Sequence, residues 1–329
     1  MNRLPHGVIL NIVSRLEPLD CIEWSQVSRQ WRRLLPLYAA EPWRDIKVDV
    51  NSFRMLSHLH VFGRFVRTAR LKLGALGAML VALDRLKSCS LLEKLELRDV
   101  HITNPYAIQA QLGFCFKHWP RLDTFAIINF QAPRVEFSDY ILLAAKYNIH
   151  HVVCIGGYGC GFDLSKRLLS SSNLSILVSL IIDAPNLIPP TIRTLLSSTP
   201  NLEFLELELG SSYLRRYESE LAYEGLHEPP LMPSILTLFP KLTHIHLDYG
   251  LTIPDDEVPS YPRDYLQFPT KASDDQQVYP GLRYYWNGIS AFDQAEYDMI
   301  LRYQSTLEHL HFGYREPSTF VPDWETFTR

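Results

Sequence analysis

His244 with His246, and His309 with His311, stand two residues apart, the spacing that puts both imidazoles of a pair on one face of a β-strand. Such pairs invite a divalent metal, with Glu206 or Glu208 as an acidic neighbour. An intervening apolar strand separates the two pairs, a distance near ~10 Å at sheet spacing and too long for one ion. A second constellation, HVVCIGGYGCGFDLSKRLL at 151–169, reads as strand, glycine cluster and helix, with Asp183 ending the next strand, the outline of a dinucleotide site. Its glycines, Gly157, Gly159 and Gly161, are spaced G-x-G-x-G, however, and Phe162 occupies the place of the third fingerprint glycine. The patterns G-x-S-x-G, H-E-x-x-H and G-x-x-x-x-G-K-[ST] do not occur, which leaves a nucleophile elbow, a zincin helix and a P-loop without support. These residues predict no enzyme, no cofactor and no metal site, and direct attention to binding.

Composition narrows the class of partner. The 329 residues carry 32 Lys and Arg against 36 Asp and Glu, a formal net charge of −4, so no overall basic field is available to hold a phosphate backbone and nucleic acid is not expected. With 47% hydrophobic and 21% charged residues the chain can bury a long core or a small domain beside a larger one. Five cysteines, Cys21, Cys89, Cys115, Cys154 and Cys160, lie in apolar contexts without a C-x-x-C pair, the usage of reduced core thiols in the cytoplasm or nucleus. No stretch approaches the roughly 18 apolar residues of a membrane helix, and the opening residues are too broken for a signal peptide.

The elements that must position a binding surface begin with three short helices. Val8, Ile9, Ile12, Val13 and Leu16 follow helical spacing behind Pro5, which suits a first helical position because it has no N–H to leave unpaired. That helix is expected to end near Pro18, and Asp20 with Glu23 then reads as the capping box of a second. Val27, Trp31, Leu34 and Leu35 mark a third, predicted to stop at Pro36. About forty residues cannot bury enough surface to stand alone, so some of these apolar faces should pack on a partner or on the next domain.

The string LPHGVILNIVSRLEPLD…VSRQWRRL…PW resembles the F-box, at Leu4, Pro5, Val8, Ile9, Ile12, Leu16, Asp20, Val27, Trp31, Leu34 and Trp43. It departs from the usual pattern at Gly7, where the family has Glu, and at Cys21, where it has Leu. The resemblance implies that residues 1–45 dock on a Skp-type linker protein, and through it on a cullin ubiquitin ligase. Leu4, Pro5, Val8, Ile9, Ile12, Leu16, Val27, Trp31 and Leu34 would form the linker-binding patch.

Residues 46–329 carry an irregular repeat. Pro-x-Leu opens apolar runs at Pro120, Pro200, Pro240 and Pro280, the last three 40 residues apart. The runs continue as L-x-x-L-x-L or a relaxed version at 92–97, 122–127, 149–154, 177–182, 202–207, 242–247, 282–287 and 307–312, with helical segments between them. Alternating strand and helix with parallel returns is the leucine-rich-repeat arrangement and resembles the solenoids that commonly follow an F-box. The expected fold is therefore α/β: a three-helix F-box followed by a leucine-rich-repeat solenoid with a curved parallel β-sheet of eight or nine repeats, in which stacking buries what no single unit can. Ser211–Pro233 and Leu251–Tyr279 read as insertions.

If the Leu positions face the core, the alternate residues form the opposite strand surface. In the N-terminal half these are Lys94, Glu96 and Arg98, then Thr124, Ala126 and Ile128. His151, Val153 and Ile155 follow, and then Ser179, Ile181 and Asp183. The C-terminal strands offer Phe204, Glu206, His244, His246, Tyr284, Trp286 and His309, a mixture of acid, imidazole and aromatic anchors suited to capturing a protein target, and these seven are the predicted target-binding residues. Taken together, the features describe the substrate-recognition adaptor of an SCF-type E3 ubiquitin ligase. If the helices only cap the array, the alternative is a leucine-rich binding scaffold unconnected with ubiquitination.

Overall fold

A computed structural model describes residues 5–101, 104–130, 135–156, 160–161, 172–184, 194–210, 241–250, 281–287 and 294–312. The expected insertions at 211–233 and 251–279, the glycine cluster from Gly157 to Gly159, and Leu4 lie outside them. The chain forms two compact units. The first holds Met1–Val135 with Lys146–Ile149 and Gly156–Cys160, and the second holds Glu136–Ala145, His150–Ile155 and Gly161–Arg329.

The first unit starts with three helices, α1 (His6–Val13), α2 (Pro18–Val27) and α3 (Arg29–Tyr38). Pro5 is the N-cap of α1 rather than its first residue: its carbonyl accepts from the Val8 and Ile9 N–H groups at 3.0 and 3.2 Å. The capping box of α2 lies three residues earlier than the sequence suggested. Pro18 fills the first turn, so Glu17 becomes the N-cap and its side chain accepts from the Asp20 backbone N–H, while the Asp20 carboxylate accepts from the Glu17 N–H at 3.0 Å. Ser28 caps α3 by accepting from the Trp31 N–H at 3.1 Å. Pro36 does not end α3, contrary to expectation. The helix runs one half-turn further to Tyr38, with Ala39 N–H reaching the Leu35 carbonyl at 2.9 Å, because a proline in a last turn forfeits only one ladder bond.

Four strands of this unit pair in parallel in the order β1 (Asp45–Val48), β2 (Thr68–Lys72), β3 (Lys94–Arg98) and β4 (Thr124–Phe130). In the second unit β5 (His151–Gly156), β6 (Ser179–Ala184), β7 (Phe204–Gly210), β8 (His244–Gly250), β9 (Tyr284–Asn287) and β10 (His309–Phe312) do the same. All eight sequence runs fall on strands. The first two strands were not anticipated, yet they follow the same rule with substituted residues. Trp43, Ile46 and Val48, and then Val66, Ala69 and Leu71, are buried in the places that Leu92, Leu95 and Leu97 fill in β3. Longer helices follow four of the strands in the chain, α4 (Leu76–Leu86) after β2, α5 (Pro105–Cys115) after β3, α6 (Phe137–Lys146) after β4 and α7 (Gln294–Leu301) after β9.

One hydrogen-bond arrangement recurs at the strand entries. The carbonyl of the residue after the first core position accepts from two successive N–H groups of the next strand. Arg44 O takes Arg67 N and Thr68 N at 2.8 and 3.0 Å, and Arg67 O takes Glu93 N and Lys94 N at 2.7 and 3.0 Å. In the second unit Glu203 O takes Thr243 N and His244 N, Thr243 O takes Arg283 N and Tyr284 N, and Arg283 O takes Glu308 N and His309 N. The repetition fixes register, so equivalent positions of successive strands lie opposite one another: His151, Ser179, Phe204, His244, Tyr284 and His309 form one row, whatever the length of chain between them. A slip by one residue would turn the core leucines outward.

The core face is apolar at Leu95 and Leu97 and at Leu205, Leu207, Ile245 and Leu247, while in β9 Tyr285 and the polar Asn287 take the last two positions and are buried as well. The opposite face departs from the expectation of an open surface. Glu96, Thr124, Ala126, Val153, Ser179 and Ile181 are buried there, whereas Lys47, Arg70, Lys72 and Arg98 in the first unit and the alternate residues of β7–β10 in the second keep contact with solvent. Small or β-branched side chains at most of these sites are what a covered strand face accepts.

Candidate protein-binding surfaces

Parallel in-register strands bring equivalent side chains to about 4.8 Å from one another, close to the thickness of stacked rings. On β7–β10 the sequence exploits this twice. In the first row Phe204 stacks on His244 at 3.9 Å and 10°, His244 stacks on Tyr284 at 4.1 Å and 7°, and His309 follows tilted at 5.9 Å. In the second, two residues further along each strand, Glu206 pairs in register with His246, His246 stacks on Trp286 at 5.0 Å, and Trp286 stacks on His311 at 3.4 Å. Each aromatic contact of this kind is worth about 0.5–1.5 kcal/mol beyond the area it buries. The rings face one another across the strands, so their edges rather than their faces meet solvent; His309 and His311 at the ends of the rows are exposed, whereas Trp286 Nε1 and His246 Nε2 are buried.

Burial pushes the pKa of His244 down to about 3, with the neighbouring charges of His246 and His309 acting in the same direction. The ring at the centre of the first row is therefore neutral at physiological pH. All seven predicted target residues come together on this face. His311, which the sequence placed on the same strand surface but not among those seven, completes the second row; its alternation with His309 is the signal that identifies it. A whole strand separates the His244/His246 pair from His309/His311, as the sequence implied. Among the described residues no group of three or more His, Cys, Asp or Glu side chains is placed to hold a metal ion, and no helix is long and apolar enough to cross a membrane.

The second surface is the helical module. Ile9 and Val13 of α1, Cys21 and Ile22 of α2, and Trp31 and Leu35 of α3 are buried, and Trp24 meets Trp31 edge-on at 5.1 Å. Glu23 pairs with Arg54 at 2.7 Å, and Arg64 donates to the Pro36 carbonyl at 2.8 Å, so the helices are tied to the chain that leads into β2. Val8, Leu10, Val27 and Leu37 nevertheless remain exposed, Val27 at 76%. Four large aliphatic side chains facing water on about forty residues call for a partner. Residues 1–39 match the family model described as F-box-like. No curated protein matches the chain.

Within the F-box-like domain the resemblance residues divide into two sets. Ile9 and Trp31 are in its interior and hold the three helices together, whereas Pro5, Val8 and Val27 are exposed and Ile12, Leu16 and Leu34 are half-buried, placing them where a partner can reach. Leu10 and Leu37 are exposed aliphatics that the sequence comparison did not single out; helical spacing alone sets them apart from the buried positions. Trp43, the last residue of the resemblance, is fully buried and stacks on Phe62 at 4.4 Å and 12°. Cys21, at the position that departs from Leu, is a buried thiol whose pKa burial raises to about 11, so it serves as a small apolar core residue.

Proposed function

We propose that this protein is the substrate-recognition adaptor of an SCF-type E3 ubiquitin ligase. The observation that carries the reading is the F-box-like match on a three-helix module that leaves Val8, Leu10, Val27 and Leu37 exposed. In this reading the F-box-like domain docks on a Skp-type linker protein and through it on a cullin, in the cytoplasm or nucleus. The strand array is a leucine-rich-repeat domain, a reading supported by its parallel register, its recurring Leu positions and its shared carbonyl junctions. The aromatic rows of β7–β10 hold a protein target. The adaptor performs no chemistry and needs no cofactor or metal; it raises the local concentration of a target lysine beside a ubiquitin-loaded enzyme supplied by other subunits.

Co-expression with a Skp-type linker and size-exclusion chromatography tests the docking step. The wild-type chain should elute with stoichiometric linker, and Val8→Asp with Val27→Asp should release it while leaving the circular dichroism spectrum unchanged, since both positions face water. A wild-type chain that elutes without linker would overturn the reading. For the target face, comparative capture with wild type and Trp286→Ala should show proteins lost only from the variant.

A further inference from the structure

The face of β1–β3 opposite the buried Ile46, Val48, Ala69, Leu71, Leu95 and Leu97 carries Lys47, Arg70, Lys72 and Arg98. Register sets Lys47 beside Arg70 and Lys72 beside Arg98. Neighbouring cations are thus about 5 Å apart across strands and about 7 Å apart along β2. At the centre stands Glu96, 0% exposed, between Arg70, whose Nε lies 3.5 Å from Glu96 Oε2, and Arg98, whose Nε meets Glu96 Oε1. One carboxylate cannot neutralise two guanidinium groups. Both arginines keep solvent access, with side chains 33% and 43% exposed, and among the described residues neither side chain makes a hydrogen bond or a second ion pair. Each guanidinium has five N–H donors, so most of theirs remain available. Lys72 pairs with Asp99 at 2.9 Å, and Lys47 is exposed with no ionic partner among the described residues. Five cations, Lys47, Arg70, Lys72, Lys94 and Arg98, therefore stand with three carboxylates, Asp45, Glu96 and Asp99, in a chain whose net charge is −4.

A buried carboxylate costs more in lost hydration than a single partner returns, and the arrangement is sustained by having two. Its consequence is that Arg70 and Arg98 are drawn to one carboxylate from adjacent strands and left undercompensated, which lowers the entropy lost when they take up a further anion. We propose that this face binds an extended acidic segment of a protein partner, with carboxylates on alternate residues meeting Arg70, Arg98, Lys72 and Lys47. The side chains of an extended segment that point to one side recur about every 7 Å, the spacing of Arg70 and Lys72 on their own strand. A continuous phosphate backbone fits less well, because Glu96 and Asp99 sit among the cations and the chain as a whole is acidic. This site belongs to the first unit and the aromatic rows to the second, and it does not rest on linker docking.

The test is fluorescence anisotropy of the full-length chain with three labelled probes: an octapeptide of glutamate, one of glutamine, and an eight-nucleotide oligothymidylate. The glutamate peptide should bind, and more weakly as salt rises, while the glutamine peptide does not. Lys47→Gln and Lys72→Gln should each weaken binding roughly threefold, the scale of an exposed ion pair, and together about tenfold. Neither lysine supports Glu96, so these variants keep the fold where Arg70→Gln or Arg98→Gln could lose it. Arg302→Gln, an exposed charge of the second unit, should change nothing. Equal binding of the two peptides, an unaffected Lys47→Gln, Lys72→Gln double variant, equal loss in Arg302→Gln, or tighter binding of the oligothymidylate than of the glutamate peptide would each overturn the proposal.

Discussion

The imidazole of His244 lies flat against the phenol ring of Tyr284, 4.1 Å between centroids and 7° between planes, with Phe204 stacked on its other side. A ring held between two others sheds its water, and the imidazolium form is disfavoured accordingly: the His244 pKa falls to about 3. In the unfolded chain the same group titrates near ~6.5. Between these values the unfolded state binds a proton that the folded state refuses, so stability is full above the unfolded pKa and is lost as pH falls from about 6.5 toward 3. The urea midpoint should therefore drop between pH 7 and pH 5, and drop less in His244→Phe, which keeps the stack and removes the titration. His58, whose pKa burial also lowers, contributes with the same sign, and the comparison of variant with wild type removes it. Identical pH dependence in both proteins would show that His244 is not the group responsible.

Val27 and Ser28 are adjacent, yet substitutions there should separate binding from folding. Ser28 caps α3 through the Trp31 N–H, and Ser28→Ala should lower stability by about 1 kcal/mol by leaving that donor without its partner. Val27 faces water, so Val27→Asp should stay within about 0.5 kcal/mol of wild type while abolishing linker co-elution. Denaturant titrations of the two variants beside their elution profiles check both halves. A Val27→Asp chain that unfolds early would mean the side chain is a structural contact instead.

The repeat was legible in the sequence because its determinants are local: two or three apolar positions per strand, a Pro or polar residue before them, and the alternation that sends the intervening residues to the other face. This sufficed to place Phe204, His244, Tyr284 and His309 on one surface despite loops of unequal length. It failed at β1 and β2, where Trp43, Ile46 and Val48, and Val66, Ala69 and Leu71, stand in for leucine and the spacing signal disappears. The cap at Glu17 and the run through Pro36 were missed for another reason. Helix ends depend on which of several eligible residues takes the cap, and here Pro18 in the first turn of α2 gives it to Glu17, while Pro36 sits late enough in α3 to forfeit only one ladder bond. The burial of Ala126, Val153 and Ile181 could not be read from alternation at all, since a strand covered on both sides differs from a half-exposed one only in the polarity of its second face.

Gly281, in the turn before β9, has φ +74°, and a Cβ built on it would come within 2.6 Å of Thr306 Oγ1. Thr306 is not free to withdraw, because its hydroxyl donates to the Leu282 carbonyl at 2.9 Å. Gly281→Ala therefore meets both a left-handed backbone and a fixed neighbour, and should destabilise the chain by about 1–3 kcal/mol. Combining it with Thr306→Ser removes the methyl contact, leaves the hydroxyl, and should recover only part of the loss. Full recovery in the double variant would assign the cost to packing alone and remove the backbone from the account.

Trp43 has two roles that a single residue rarely combines, as the last residue of the F-box resemblance and the first core position of the strand array. It is fully buried, stacked on Phe62 at 4.4 Å, and one residue before the Arg44 carbonyl that receives both N–H groups of Arg67 and Thr68. Truncation to alanine opens a cavity at the start of β1 and should cost about 3–5 kcal/mol. Because the lost ring supports the register of β1 on β2 as well as the α3 end of the helical module, Trp43→Ala should weaken amide protection in both regions, whereas Trp31→Ala should weaken it chiefly among α1, α2 and α3. Trp43→Phe retains a stacked ring and should recover more than half of the loss. Hydrogen exchange resolved by residue distinguishes these patterns: protection lost only in the helices of Trp43→Ala would mean the strand array begins independently of Trp43, and that its place in the repeat is one of position without energetic consequence.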